Sequence, residues 1–122
     1  MRVLIVDDDN CIRGLVRALL EREGMECHEA EDGLEALAAA RKLHPDIMIL
    51  DVMLPGLDGY KICQMLKYDE EYSDIAIIMV TSRSTPVDKE TGYYTGADVY
   101  LTKPFDHKDL IEAVMQVVGT TS

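Results

Sequence analysis

The hydrophobic positions of this chain follow two alternating rhythms. Unbroken apolar runs recur at Val3 to Val6 (within a strand from Arg2 to Val6), Ile47 to Leu50, Ala76 to Val80 and Val99 to Leu101. Such short runs, bounded by acids and turn residues, read as strands of a sheet covered by helices. Glu26 to Ala30 is a shorter and more polar strand, expected at a sheet edge. Between the strands the spacing changes to a helical stripe. Ile12, Leu15, Val16, Leu19 and Leu20 define the first helix, opened by Asp9 or Asn10 and stopped by Gly24. Asp32 can cap a second, from about Gly33 to Leu43, with Leu34, Leu37 and Ala38 facing inward and Pro45 beyond its end. A third runs from Gly59 to about Tyr68 and buries Ile62 with either Met65 or Leu66. The last, from about His107 to Val118, carries Leu110, Ile111, Val114, Val117 and Val118 on one stripe. Residues 86–95 are the poorest helix, because Thr91, Gly92 and Thr95 are weak formers.

Strands and helices thus alternate along the whole length, which calls for a doubly wound α/β domain with a parallel sheet and right-handed crossovers. One domain over residues 1–119 is expected, with 120–122 a tail or the start of a linker. A chain of 122 residues with 29% charged and 48% hydrophobic residues suits one core. No apolar stretch approaches the ~20 residues of a membrane span, and the N-terminus has no signal-peptide pattern. Cys11, Cys27 and Cys63 are an odd, scattered set, which argues against disulfides or zinc and suits a reducing cytoplasm. The formal net charge of −11 argues against direct binding to nucleic acid or to anionic membrane.

The chemistry gathers at the strand ends. Asp7-Asp8, Asp51, Thr81 and Lys103 each close a different strand, so a parallel sheet brings them to one edge, where open α/β folds bind their ligands. Three carboxylates crowded together repel unless a cation sits among them. With oxygen ligands alone the hard ion Mg²⁺ is the natural choice. A hydroxyl and an ammonium beside it are what a phosphoryl group needs. Nothing resembles G-x-G-x-x-G or G-x-x-x-x-G-K-[ST], so dinucleotide and nucleoside triphosphate sites are disfavoured. A flavin phosphate is disfavoured too, since the first strand-to-helix loop is three acids. His28, His44 and His107 lie apart and are given no ligand role.

The motifs Leu4-Ile5-Val6-Asp7-Asp8-Asp9, Ile49-Leu50-Asp51-Val52-Met53-Leu54-Pro55-Gly56-Leu57-Asp58-Gly59, Val80-Thr81-Ser82, Gly96-Ala97-Asp98 and Tyr100-Leu101-Thr102-Lys103-Pro104-Phe105 span the chain in order. Together they resemble the response-regulator receiver domain of two-component signal transduction. That resemblance implies a CheY-like, flavodoxin-like (βα)5 fold with strand order 2-1-3-4-5, two helices on one face and three on the other. It makes Asp51 the phosphoacceptor, charged from a sensor histidine kinase or a histidine phosphotransfer protein. Asp8, Asp51 and the Met53 carbonyl would ligate Mg²⁺ (Mn²⁺ as substitute), with Asp7 acting mainly through water. Thr81 and Lys103 would bind phosphoryl oxygens, and Thr81 with Tyr100 would form the switch. A cis Lys103-Pro104 bond is usual in such domains. Met53 and Arg83 would flank the path of a hydrolytic water and tune the phosphoprotein lifetime. The implied protein is a cytoplasmic signalling module, not an enzyme beyond its own phosphotransfer and slow autodephosphorylation. Its output partner, whether a separate effector or a covalently attached domain, is open, and a phosphorylation-dependent homodimer is compatible with it.

Plainer readings compete at each position. The acids could merely favour a helix N-terminus; Thr81 could be a cap, Lys103 a solvated loop lysine and Tyr100 a static edge residue. The rival from another class is a phosphatase of the haloacid-dehalogenase type using Asp7-x-Asp9, which would leave Asp51 without a task.

Overall fold

The computed structural model describes residues 1–81 and 96–121. Its strands are β1 (Arg2–Val6), β2 (Glu26–Ala30), β3 (Ile47–Asp51), β4 (Ala76–Thr81) and β5 (Val99–Thr102), all parallel, in the order β2-β1-β3-β4-β5. The described helices are α1 (Asn10–Arg22), α2 (Gly33–Leu43), α3 (Gly59–Lys67) and α4 (His107–Thr121). The architecture is therefore the doubly wound α/β fold expected, and β2 is an edge strand as its polarity suggested. The weak helix anticipated over 86–95 lies outside the described residues.

Alternation along each strand splits the core in two. Val3, Ile5, Ile47, Ile49, Ile78 and Val80 face one way, against Val16 and Leu20 of α1 and Leu110, Val114 and Val117 of α4. Leu4, Val6, Met48, Leu50, Ile77 and Met79 face the other, against Ala36, Leu37 and Ala40 of α2 and Ile62, Cys63 and Leu66 of α3. Because β3 is covered on both faces, all five of its residues are buried, and a continuous apolar run suits it better than an alternating one.

Helix ends follow the expected chemistry. Asp9 caps α1 by accepting from the amides of Cys11 and Ile12, Asp32 caps α2 and Asp58 caps α3. Gly24, at φ 83°, takes the left-handed position past α1. Three details differ from the periodicity. Leu15, expected on the buried stripe of α1, is 59% exposed, and Arg13 is buried instead. In α2, Leu34 is 74% exposed and Ala38 also faces outward, because the small residues Gly33, Ala36 and Ala40 make the close approach. A Cβ on Gly33 would lie 2.6 Å from Leu57 Cβ, so the helix rests too near the following loop for a larger residue. In α3, Leu66 and not Met65 is the buried choice. The backbone of α4 continues helical to Thr121, past the Val118 expected.

Candidate functional site

Asp7 follows β1, Asp51 ends β3, Thr81 ends β4 and Lys103 follows β5, so the parallel sheet delivers all four to one edge. Lys103 Nζ donates to Asp7 Oδ2 and to Asp51 Oδ2, each at 2.8 Å. Asp7, Asp8 and Asp51 each offer a carboxylate oxygen within 4.8 Å of the others. Asp7 and Asp51 are buried, whereas Asp8 is exposed at the rim. The remaining oxygens are used locally: Asp7 Oδ1 accepts from the Asp9 amide and Asp51 Oδ1 from the Met53 amide, both at 2.9 Å. Beneath the carboxylates lies an apolar bed that includes Ile5, Val16, Ile49, Val80 and Phe105.

That bed sets the electrostatics. Burial pushes the Asp51 carboxyl above its ordinary value, and the nearby Asp7 charge adds to the rise against the pull of Lys103 and the Met53 amide. Burial works against the Lys103 ammonium, yet its hydrogen bonds to Asp51 and Asp7 outweigh it and hold the group above its ordinary value. Two of the three carboxylates share the one ammonium, which leaves a surplus of negative charge in a half-dry pocket. An all-oxygen donor set with that surplus fits a hard divalent cation such as Mg²⁺.

Local backbone explains the placement of Asp51. Pro55-Gly56 turns the chain back, with Gly56 at φ 83°, and Asp58 Oδ1 caps α3 through the Lys61 amide at 2.9 Å. The Gly59 amide donates to the Val52 carbonyl at 2.9 Å. A Cβ on Gly59 would lie 2.8 Å from Val52 Cα and collide with the Asp51 carbonyl. The N-terminus of α3 is thus seated directly on the strand end, which only glycine permits. On the far side, the Lys103 amide donates to the Thr81 carbonyl at 2.7 Å, and the Lys103-Pro104 bond is cis.

Thr81 is fully buried and opposes Thr102 across the β4–β5 ladder, while Tyr100 opposes Met79 and is half-buried. Thr81, Met79 and Tyr100 therefore share one face, with Tyr100 one pleat below the threonine. Met53, two residues past Asp51, is 57% exposed. Arg83, with Ser82, lies outside the described residues. His28 pairs with Glu26 and His44 with Asp74, and no histidine belongs to the carboxylate cluster among the described residues.

One residue at the site was missed by the sequence reading. Arg13 donates to the Asp7 carbonyl at 2.6 Å, to Asn10 Oδ1, and to Glu29 and Glu31 of the adjoining chain at 3.0 and 3.3 Å. Its signal was present, since Arg13, Val16 and Leu20 are spaced as one stripe, and Glu29 and Glu31 alternate along the edge strand and its extension.

With this geometry in hand, the comparisons with known proteins agree. Residues 3–115 match the family model described as the response regulator receiver domain. The chain is 42% identical over 120 residues to the DNA-binding dual master transcriptional regulator RpaA of Synechocystis, covering 98% of this chain and 50% of RpaA. It is 37% identical to protein PilG of Pseudomonas aeruginosa, covering 93% of this chain and 84% of PilG. Among solved structures, the Francisella response regulator 1452 receiver domain superposes with a TM-score of 0.91 at 30% identity, covering 99% of this chain and 98% of that one. The chemotaxis protein CheY4 of Vibrio cholerae gives 0.89 at 35% identity, with 95% and 97% covered. The chain belongs to the response regulator receiver domain family of two-component systems. It spans about half the length of RpaA and most of PilG. Receiver domains work with histidine kinases and bind Mg²⁺ at an acidic cluster. The phosphatase alternative gives way to this membership. No described helix is long and apolar enough to cross a membrane.

Proposed function

We propose that this receiver accepts a phosphoryl group on Asp51 from a phosphohistidine, in a Mg²⁺-dependent reaction, and converts it into a change of protein-binding surface. The observation that carries the reading is the Lys103 ammonium bridging Asp7 and Asp51 at 2.8 Å, beside the oxygen of Asp8. Asp8, Asp51 and the Met53 carbonyl would hold the ion, with Asp7 acting through water. Mg²⁺, when bound, supplies charge neutralisation for the cluster and a coordination point for phosphoryl oxygens.

Within that arrangement, an Asp51 carboxylate oxygen attacks phosphorus as the phosphorus–nitrogen bond to the donor histidine breaks. Lys103 fixes the Asp51 rotamer and then meets the charge carried by the transferred group, so positioning and electrostatics do most of the work. The donor has a place to sit. Ile12, Leu15, Pro104 and Phe105 line an apolar hollow of about 430 Å³ that also contacts Lys103, and Leu15 is 59% exposed there. The mismatch between the helical stripe and the burial of Leu15 is accounted for if a partner covers it.

Thr81 donates its hydroxyl to the phosphoryl group, and Tyr100, on the same sheet face one pleat away, follows it inward. The change is a shift between existing populations. Titration with beryllofluoride should displace NMR signals from Tyr100 to Phe105 as well as those next to Asp51, and shifts confined to the Asp51 neighbourhood contradict the switch. By the family resemblance, Met53 and Arg83 are the residues that flank the approach of a hydrolytic water; a thioether is a weak acceptor and a guanidinium has none, so the phosphoprotein decays slowly. The phosphotransfer itself is tested by intact mass after treatment with a small acyl phosphate. One phosphoryl group is expected with Mg²⁺, much less without it, and none on Asp51→Asn. Equal labelling of Asp51→Asn would sink the assignment.

A further inference from the structure

We propose that Arg13 is a positioning residue for the Mg²⁺ site, holding the peptide group between Asp7 and Asp8 so that both carboxylates face one ion. The inference rests on the function proposed above and adds a residue to it. Arg13 sits in the first turn of α1 with only 6% of its surface exposed, an unusual place for a guanidinium. Its donors are all directed. Nη1 goes to the Asp7 carbonyl at 2.6 Å, Nη2 to Asn10 and to Glu31 at 3.3 Å, and Nε to Glu29 at 3.0 Å. The Asp7 carbonyl belongs to the peptide bond that joins the buried acid to the rim acid. Fixing that plane fixes the direction in which the Asp8 side chain leaves the backbone.

The anchoring is rigid at its other end. Glu29 also accepts from Arg17 Nη1 at 2.8 Å and is held below the ordinary glutamate value, first by Arg17 and then by Arg13. The loop of three consecutive acids is thereby tied to β2, across the edge of the sheet, through one side chain. Only a planar fork with several donors spans a carbonyl and two carboxylates at once.

Two effects oppose each other when Arg13 is removed. Loss of a positive charge near the acids favours a cation, while loss of the anchor lets Asp7 and Asp8 diverge and disfavours it. The first is small, because Glu29 and Glu31 already neutralise the guanidinium. The second dominates, as removal of supporting partners weakens metal affinity about 10–100-fold in characterised sites.

The test is calorimetric Mg²⁺ titration of the intact chain at a temperature where circular dichroism shows each variant folded. Arg13→Met should bind Mg²⁺ about tenfold more weakly. Arg17→Met breaks the same ionic network without touching the Asp7 carbonyl and should match the wild type. An ammonium cannot reach the carbonyl and both glutamates together, so Arg13→Lys should also bind more weakly, by a smaller factor. Arg13→Lys carries the test alone if Arg13→Met does not fold. Wild-type or tighter affinity in the Arg13 variant overturns the proposal, as does equal weakening by Arg17→Met, which would reveal a general effect of the network. A wild type that fails to bind Mg²⁺ would instead bring down the site reading and this inference with it.

Discussion

Two lysines of this domain, at opposite ends of the sheet, do different things with similar burial. Lys67, at the end of α3, has 14% of its side chain exposed and pairs with Asp98 at 2.7 Å while donating to the Ile75 carbonyl at 2.6 Å. Asp98 in turn accepts from the Ile77 amide at 2.8 Å, so one ammonium staples α3, the start of β4 and the approach to β5. Gly96 at φ 97° fits this staple, since a Cβ there would lie 2.9 Å from the Lys67 stem. Lys103, with 19% exposed, pairs with two buried acids and has a third acid nearby. Among the described residues, one lysine has a single counter-charge and neutral carbonyls around it. The other has more negative charge than it can compensate. Charge balance separates a structural lysine from a chemical one here, and burial does not.

Exchanging each for methionine should separate the two roles most sharply. Lys103→Met removes the charge that meets the transferred phosphoryl group, and labelling by an acyl phosphate should slow by about 100-fold or more. Lys67→Met should label at the wild-type rate. Comparable slowing in both variants would erase the distinction.

Stability should show the reverse order. Lys67→Met takes the ion-pair partner from the 40% exposed Asp98 and the ammonium donor from the Ile75 carbonyl, and should cost about 1 kcal/mol in denaturant unfolding. In Lys103→Met, added Mg²⁺ replaces the missing cation and should raise Tm by more than it does in the wild type, because binding to the native state alone stabilises it. A Tm of Lys103→Met insensitive to Mg²⁺ would show that the acids have no call for a cation.

The smallest effect belongs to the rim. Met53→Asn places an amide where the thioether stands, giving the attacking water a partner, and should speed dephosphorylation a few-fold, about 1 kcal/mol in barrier. A rate that is unchanged or slower contradicts the lifetime role of Met53.

Much of this comparison was legible in the sequence, and for identifiable reasons. β3 and β4 announced themselves because strands covered on both faces are apolar throughout, and the site residues because each ends such a run. The capping acid Asp32 and the stop at Gly24 marked helix ends by local chemistry alone, whereas Asp58 read only as part of a turn and proves to cap α3. What periodicity misjudged were helix faces. Leu15 and Leu34 are apolar yet exposed, while Arg13 and Gly33 lie inward, because an ionic network and a close backbone approach took precedence over hydrophobicity. Those choices depend on partners distant in sequence, Glu29 and Leu57, which no local window contains. The ends of β3 and β5 ran one residue past the apolar run, to Asp51 and Thr102, since ladder hydrogen bonds do not stop where hydrophobicity does.

The central claim is that Asp51, and not another acid of the cluster, carries the phosphoryl group. Acyl phosphates of aspartate are reduced by borohydride to homoserine, which leaves a permanent mark at the modified position. The protein should be treated with a small acyl phosphate and Mg²⁺, reduced, digested and sequenced by mass spectrometry. The account predicts homoserine at position 51 alone, in wild type and in Lys67→Met. Homoserine at position 7, or none at 51 in a protein that has gained the mass of one phosphoryl group, would contradict it.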